Sequence, residues 1–397
     1  MKIEPPKVLI ISEFFFSENS GGGILLKNLF QDYPKEKIFI LHEDVNVPSD
    51  SSIKSYLLKK PSKTNTYLKK KLHPFFINQL INLKNFYGIN RKKKVDSDLL
   101  TKLQQFKPDV IYTIFGDYSL MCLIKELKLK LGIPLVTHVM DNVLATYTNK
   151  KKEYNLFKYL IDASVKRIAI NFKMSVEYKK IFGYKFEVLH NGIDRKKIKK
   201  VSSKKKLKTV TYIGSVFKNA QLNSLVAISE VIKKLIDDDH KIKCLIYLPE
   251  NQKIIYESFF PKHQDIKIKI HNLDENEYFK KISESNLLLL ASNFDKDSID
   301  YYKYSWPAKM ASYLMSNVPI FIYGPNNIFF INDARKTKWA YVENRNSVLN
   351  LEKSMKNILY DSNLRKEVLR YAKKKSSDFE LDKIQNKIQK ILGSSQK

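Results

Sequence analysis

Short apolar segments alternate with segments of helical periodicity along most of the chain, and this alternation limits the folds open to it. Residues 7–12 read Lys-Val-Leu-Ile-Ile-Ser, a β-branched run typical of a strand buried on both faces of a parallel sheet. A glycine turn, a helix over 24–30 and a strand over 38–41 complete the first unit. Strand, helix and strand in this order predict an α/β fold with parallel sheets.

The same alternation continues in two halves. We predict further strands at 109–113, 135–139, 167–170 and 186–189, then at 209–213, 244–248, 266–270, 286–290 and 318–322. The helices between them include 118–131, 222–235, 275–282, 308–315 and 347–360. Because 397 residues exceed one ordinary core, we predict two domains, 1–190 and 191–378, and a C-terminal helix and tail at 379–397. Two parallel sheets of this kind place a ligand in the cleft at their carboxyl ends.

Positive charge is concentrated rather than spread evenly. The chain has 71 Lys and Arg against 41 Asp and Glu, and residues 54–94 contain twelve basic residues and no acid. This stretch fits no strand–helix repeat, so we expect a basic helical excursion at about 50–98. Its interleaved aromatic residues favour an anionic membrane surface as partner, with an ordinary solvated insertion as the alternative.

Cysteine content and hydropathy limit the compartment. Cys122 and Cys244 are far apart in apolar stretches, which argues against a disulfide framework and against a cysteine-ligated zinc site. There is no secretory signal pattern, and no apolar run reaches the roughly 18 residues of a membrane span. We therefore expect a cytoplasmic protein, either free or attached peripherally to the inner face of the plasma membrane.

One segment combines helix-start chemistry with a cation. Ser305 is a natural cap, Pro307 suits a first turn, and Lys309 and Ser312 follow on the same helical face. A hydroxyl, an ammonium and free helix N–H groups together suit a phosphate. Taken alone, a capped helix with one lysine is common, and an ordinary surface helix is the alternative.

The order of several motifs resembles a known family. Tyr-Ser-Trp-Pro-Ala-Lys at 304–309, a short helix and Val-Pro-Ile-Phe-Ile-Tyr-Gly-Pro at 318–325 resemble the donor-site segment of GT-B-fold glycosyltransferases, particularly the group related to family 4. The glycine loop at 20–23, Lys-Pro-Asp-Val-Ile at 107–111, Asn-Gly-Ile-Asp at 191–194 and Tyr-Ile-Gly-Ser at 212–215 agree in order. The resemblance implies two Rossmann-like domains facing across a cleft, with the C-terminal helix packing back on the first domain.

The resemblance also implies site residues. It assigns the diphosphate of a sugar-nucleotide donor to Ser305, Lys309, Lys218, Ser215, Gly22 and Gly23. Many family members carry paired glutamates where this chain has Tyr304 and Ser312. We therefore assign these two residues to the donor ribose or sugar, with the Ser312 hydroxyl in place of a carboxylate.

Polar residues at strand ends in the first half are candidates for the acceptor side. His138 and Asp141 end the strand at 135–139 and are our catalytic candidates. The alternatives are a hydrogen-bonded core histidine and a capping aspartate. Asp117 is a further acceptor-side candidate. Asp295-Lys296-Asp297 matches the Asp-x-Asp of metal-dependent transferases, but we interpret it as a solvated loop, and we expect neither a metal nor a cofactor.

The predicted function is transfer of a sugar from a nucleotide-diphosphate donor to a hydroxyl of a glycan or lipid-linked acceptor. The resemblance implies a retaining, metal-independent enzyme, and the basic charge suits bacterial surface-polysaccharide or lipopolysaccharide synthesis. A non-catalytic partner subunit of the same fold is one alternative, because the glutamates are missing. A nucleic-acid-binding protein is another, although no recognition helix, zinc finger or RNA-binding sheet is evident.

Overall fold

The structure is a computed structural model of the chain. It describes residues 4–17, 21–44, 52–58, 95–146, 150–198, 207–271 and 273–395. Most of the basic stretch at 54–94, the linker residues 199–206 and Ser20 of the glycine loop therefore lie outside the described residues.

The first sheet has seven parallel strands in the order β3-β2-β1-β4-β5-β6-β7. Continuous apolar runs form its centre, and all four residues of β1 are fully buried. Burial on both faces explains why these strands show no alternation of apolar and polar residues. The strands are β1 (Val8–Ile11), β2 (Ile38–His42), β3 (Lys54–Leu57), β4 (Val110–Ile114), β5 (Leu135–Val139), β6 (Lys166–Ala169) and β7 (Glu187–Val188).

The second sheet has six parallel strands in the order β10-β9-β8-β11-β12-β13. It repeats the doubly wound pattern of the first sheet, because its first strand is also central and the chain then winds outward in both directions. The strands are β8 (Lys208–Ile213), β9 (Ile242–Leu248), β10 (Ile266–Ile270), β11 (Leu287–Ala291), β12 (Ile320–Tyr323) and β13 (Tyr341–Glu343).

Helices flank both sheets, and side chains at their first turns explain where many of them begin. Asp96, Asp117 and Asn171 each accept a backbone N–H as N-cap residues, and Gly132 and Gly183 end two helices at positive φ. The helices of the first half are α1 (Gly21–Phe30), α2 (Ser97–Phe106), α3 (Tyr118–Leu131), α4 (Val143–Thr146), α5 (Lys150–Asp162) and α6 (Phe172–Phe182). The later ones are α7 (Leu222–Asp237), α8 (Glu250–Tyr256), α9 (Glu275–Glu284), α10 (Lys296–Tyr302), α11 (Met310–Met315), α12 (Phe329–Thr337), α13 (Val348–Tyr360), α14 (Ser362–Ser376) and α15 (Leu381–Gly393).

The C-terminal helix α15 returns to the first domain, as predicted. Ile384, Ile388 and Leu392 are buried in the same apolar cluster as Val8 and Ile10 of β1. The segments that cross between the two halves are themselves bonded, because the N–H of Ile193 donates to the carbonyl of Phe379 at 2.9 Å. The two-domain α/β fold with parallel sheets is therefore confirmed, while the domain boundaries stay a prediction.

Two local predictions are wrong. The basic stretch does not begin as a helix, because Lys54–Leu57 is the edge strand β3, paired in parallel with β2. The donor-segment helix does not begin near Ser305, because α11 starts at Met310. In addition, α2, α4, α5, α8, α10 and α12 form where no helix was predicted.

Candidate functional site

The strand orders place a crevice at the carboxyl edge of each sheet. Strand order reverses between β1 and β4 in the first sheet and between β8 and β11 in the second. In doubly wound sheets, ligands bind outside the carboxyl ends of the strands at such reversals. The loops at these ends carry most of the predicted site residues.

Asp141 and Ser305 meet across the cleft. The hydroxyl of Ser305 donates to Oδ1 of Asp141 at 2.9 Å, joining the loop after β5 to the segment before α11. Ser305 is buried, whereas Asp141 as a whole residue is exposed, although its carboxylate is in contact with Ser305. The surrounding protein raises the pKa of Asp141 through desolvation, and the Ser305 hydrogen bond partly offsets this.

The prediction that Ser305 caps a helix is corrected by this contact. No side chain caps α11, and Lys309 rather than Ser305 occupies its N-cap position. The Ser305 hydroxyl is instead committed to Asp141. Because α11 has only six residues, its N-terminus contributes little to an anion site. The ammonium of Lys309 is the more important group there.

Residues 300–304, which precede Ser305, make further hydrogen bonds with the first domain. Nδ2 of Asn142 donates to the carbonyl of Asp300 at 2.9 Å, and Nδ2 of Asn171 donates to the carbonyl of Tyr304. The ring of Tyr304 is 5% exposed and belongs to the apolar core of the first domain. The assignment of Tyr304 to the donor ribose or sugar is therefore corrected, because its side chain anchors the segment instead.

Lys309 is a partly buried cation beside the end of β8. Its Nζ lies 3.7 Å from the centroid of the Tyr212 ring. Within the described residues no carboxylate pairs with it, and burial lowers its pKa to about 7. Gly214 lies at φ +132°, a backbone conformation that residues other than glycine rarely adopt, and its β-carbon position is 2.6 Å from that Nζ. A desolvated ammonium without a counter-ion is the feature expected of an anion site.

The loop after β8 carries two other predicted phosphate ligands. Ser215 directly follows Gly214, and its carbonyl accepts the hydroxyl of Tyr212 at 2.6 Å. Lys218 is exposed, and its carbonyl accepts Nδ2 of Asn293 at 2.8 Å. Gly214 thus lies against Lys309, Ser215 is the next residue of the loop, and Lys218 is exposed to solvent.

Ser312 contacts the backbone of Lys309 and lies near Tyr278 and His271, two residues that the sequence did not predict. Its hydroxyl donates to the carbonyl of Lys309 and lies 2.7 Å from the Tyr278 hydroxyl. The Tyr278 ring stacks with His271 at 6.3 Å between centroids. Nδ1 of His271 is buried and has no hydrogen-bond partner among the described residues. His271 directly follows β10, so the strand-end rule applied to His138 could have found it.

The glycine loop approaches the second domain through a different glycine from those predicted. Gly22 and Gly23 are buried in the first turn of α1, and a β-carbon on Gly22 would lie 2.2 Å from the Phe14 ring. Gly21 faces the donor segment, because its β-carbon position is 3.6 Å from Cβ of Ala308. Gly22 therefore allows close packing against the Phe14 ring, and Gly21 is the glycine that lies next to Ala308.

His138 is a core residue, so its assignment as a catalytic group is corrected. It is completely buried, with Nδ1 at 2.7 Å from the Tyr112 hydroxyl and Nε2 at 3.0 Å from the carbonyl of Leu189. Burial lowers its pKa to about 3, which keeps the ring neutral at physiological pH. With both nitrogens engaged and no exposed surface, the ring cannot reach an acceptor hydroxyl.

Two acidic positions have capping roles. Asp117 is exposed at the end of β4 and caps α3, with Oδ1 accepting the N–H of Leu120 at 2.8 Å. Asp295 caps α10, so the Asp-x-Asp pattern begins a helix rather than lying in a loop. The described residues contain no group of three or more His, Cys, Asp or Glu side chains suited to a metal ion. The described helices also include none long and apolar enough to cross a membrane.

Comparisons with known proteins agree on the fold. No family model matches the chain, and no curated protein sequence does. Among solved structures, sucrose-phosphate synthase from Thermosynechococcus elongatus is similar at TM-score 0.66 and 10% identity, covering 97% of this chain and 98% of that one. Anabaena HepE in complex with UDP and glucose gives 0.66 and 12%, covering 98% and 100%. WaaG, a glycosyltransferase involved in lipopolysaccharide biosynthesis, gives 0.56 and 11%, covering 97% and 99%. The chain therefore has the GT-B fold over nearly its whole length.

Proposed function

We propose that the chain is a glycosyltransferase that binds a nucleotide-diphosphate sugar in the cleft and transfers the sugar to a hydroxyl of a glycan or lipid-linked acceptor. The observation that carries the proposal is Lys309, a desolvated ammonium with no carboxylate partner among the described residues. Its position beside Gly214 at a strand-order reversal suits a diphosphate. HepE, which has the same fold, is described in complex with UDP-glucose.

The donor is proposed to run along the edge of the second sheet. Its diphosphate would lie on Lys309, with Ser215 and Lys218 on the loop after β8. Its nucleoside would extend past Ser312 towards the stacked rings of Tyr278 and His271. As the bond from the sugar to the diphosphate breaks, negative charge develops on the departing oxygen. The ammonium groups of Lys309 and Lys218 would stabilise this charge.

The acceptor is proposed to approach from the first domain. Asp141 would accept a hydrogen bond from the attacking hydroxyl, because its raised pKa makes it a better proton acceptor than an ordinary aspartate. The acceptor hydroxyl would compete with the Ser305 hydroxyl for this carboxylate. The hydrogen bond between Ser305 and Asp141 would therefore be present only when no acceptor is bound. We also propose that the reaction retains configuration and is metal-independent, with cations of the chain in the place of a divalent ion.

The biological setting stays part of the proposal. A lipid-linked acceptor in bacterial surface-polysaccharide or lipopolysaccharide synthesis suits the net charge of +30 and a peripheral position on the inner face of the plasma membrane. The basic stretch at 54–94 is the proposed membrane contact. A non-catalytic partner subunit is the second candidate, favoured by the uncharged Ser312 and by Tyr304, which is buried in the core.

A screen of sugar nucleotides tests the proposal. The full chain is incubated with UDP-, GDP-, CDP-, ADP- and dTDP-sugars, with and without glycan and lipid-linked acceptors, and released nucleotide is measured. Release that depends on one donor and rises with an acceptor is expected. Saturable nucleotide binding without any release would favour the partner subunit. The absence of both binding and release would overturn the proposal.

A further inference from the structure

The buried side-chain amide of Gln221 packs against the loop that connects β8 to α7. Gln221 is 6% exposed and occupies the N-cap position of α7, yet its side chain makes no capping bond. The side chain points back towards residues 215–217 instead. A buried amide in this position needs several partners, since an unpaired buried polar atom destabilises the folded chain.

Gln221 meets this requirement with contacts to the proposed phosphate loop. Its Oε1 accepts the N–H of Phe217 at 3.1 Å, and its Nε2 donates to the carbonyl of Ser215 at 3.1 Å. The same nitrogen lies 3.4 Å from the Tyr212 hydroxyl, and the Tyr212 ring lies under the Lys309 ammonium. The Gln221 side chain therefore bonds the loop at Ser215 and Phe217 and contacts Tyr212, whose ring faces the Lys309 ammonium. Between these two residues, the N–H of Val216 donates to Oε1 of Gln252 at 2.7 Å.

A further contact extends this network towards the first domain. Nε2 of Gln221 donates to the hydroxyl of Tyr302 at 3.2 Å, and Tyr302 is the last residue of α10. Asp300 of the same helix accepts the side chain of Asn142 from the first domain. Gln221 thus links the loop to the helix that touches the opposite wall of the cleft.

We propose that Gln221 is a positioning residue for the donor diphosphate. It holds the loop carrying Ser215 and Lys218 at a fixed place relative to Lys309, and it ties that loop to the position of α10. The inference rests on the proposed function, since it concerns the same donor site. Gln221 touches no substrate atom in this account, and its effect passes through the backbone of residues 215–217.

Substitution with methionine, which has the same chain length, tests the inference. Gln221→Met should raise the donor KM and the nucleotide Kd by about tenfold or more and leave the acceptor KM within about twofold. The backbone amide of Phe217 should exchange with solvent about tenfold faster, because it loses its side-chain acceptor, whereas that of Val216, which donates to Oε1 of Gln252 at 2.7 Å, should change less. Tyr302→Phe removes only one hydroxyl and should shift the donor KM in the same direction by about threefold.

Gln385→Met is the matched control. Gln385 is 4% exposed and donates to the carbonyl of Asn28 at 3.0 Å, so a buried amide of the same type is removed from a helix that makes no hydrogen bond to the loop in the described structure. It should lower thermal stability and leave donor KM unchanged. Equal donor effects from both glutamine variants would overturn the inference, as would normal nucleotide affinity in Gln221→Met despite faster exchange. If Gln221→Met fails to fold, an unchanged donor KM in Tyr302→Phe overturns it. A wild-type chain that binds no nucleotide removes the proposed function and this inference together.

Discussion

At the scale of single residues, Lys309 is the most informative group in the cleft. Removing its ammonium from water costs free energy that no ion pair in the described structure recovers, and the lowered pKa of about 7 reflects this cost. A diphosphate would supply the missing counter-charge. Under the proposed function, donor binding would therefore be coupled to protonation of Lys309.

The first prediction concerns the pH dependence of donor affinity. Above about pH 7 the unliganded Lys309 loses its proton, whereas bound diphosphate keeps it protonated. The Kd of a sugar nucleotide should therefore rise by up to about tenfold per pH unit above pH 7, with proton uptake on binding. Calorimetry in buffers of different ionisation enthalpy measures both quantities. A flat Kd between pH 7 and 9 would contradict the prediction.

The same pKa shift has a consequence for stability. The unfolded chain holds this proton up to the ordinary lysine pKa of 10.5, whereas the folded chain releases it near 7. Because the unfolded state binds more protons in that window, the free energy of unfolding contributed by Lys309 increases from pH 7 towards 10.5 and is lost as pH falls through 7.

The second prediction concerns Asp141. Asp141→Asn keeps an oxygen for the Ser305 hydroxyl, so the contact at 2.9 Å can persist while the carboxylate is lost. Turnover should fall by about 10²–10³, and the nucleotide Kd should stay within about twofold. The acidic limb of the wild-type pH–rate profile should lie above the ordinary aspartate range, because the pKa of Asp141 is raised. Asp162→Asn, which removes a surface carboxylate paired with Lys158, is the control. Normal turnover in Asp141→Asn would remove its catalytic role.

At the scale of elements, β5 shows how one strand places a core residue and a cleft residue close together. His138 points into the core and Asp141, three residues later, lies in the cleft. His138→Leu leaves the Tyr112 hydroxyl and the Leu189 carbonyl without their partner, and should lower the free energy of unfolding by about 1–3 kcal/mol. Urea denaturation measures this effect.

The pH–rate profile separates a core role for His138 from a catalytic one. Since the pKa of His138 is about 3, its loss should leave the profile between pH 5 and 8 unchanged. Tyr112→Phe removes one of the same hydrogen bonds and should cost about 0.5–1.5 kcal/mol. Loss of a limb of the profile in His138→Leu would restore the catalytic assignment.

Regular elements could be predicted because their signals are local. Continuous apolar runs identified β1, β5 and β11 to within about a residue or two, and the alternation predicted the parallel sheets. Ser305 was misassigned because a cap and a tertiary hydrogen bond require the same residue type. The Tyr304 ring belongs to the first-domain core through a contact distant in sequence, and no local pattern encodes such a contact.

Other site features depend on tertiary packing alone. The sequence predicts Lys309 as a phosphate ligand, and this stays a prediction, whereas its lowered pKa arises from the residues packed around it. Gln221 has no motif, and its role is visible only from the four groups that surround its amide. His271 had a usable signal in its position after β10.

At the scale of the whole molecule, the C-terminal helix α15 packs against the first sheet, near the N-terminal strand β1. Ile388 is completely buried in the first-domain core, although it lies near the C-terminus. Ile388→Ala should lower the free energy of unfolding by about 2–5 kcal/mol through lost burial and a cavity. Ile254→Ala on α8, where the side chain is 78% exposed, should change it by less than about 0.5 kcal/mol. Equal effects would contradict the packing of α15 described here.

The central claim is that the cleft binds a nucleotide diphosphate through Lys309, and calorimetric titration of Lys309→Met tests it most directly. Nucleoside diphosphates and monophosphates are titrated into the wild type, this variant and Lys338→Met, whose lysine lies 5.8 Å from the Tyr371 ring and pairs with Glu367. We expect wild type and Lys338→Met to bind at least one diphosphate with equal affinity. Lys309→Met should fold normally, since no ion pair of the described residues is lost, and should bind that diphosphate about tenfold or more weakly, with a smaller loss for the monophosphate. Unchanged affinity in Lys309→Met, or no nucleotide binding by the wild type, would contradict the account.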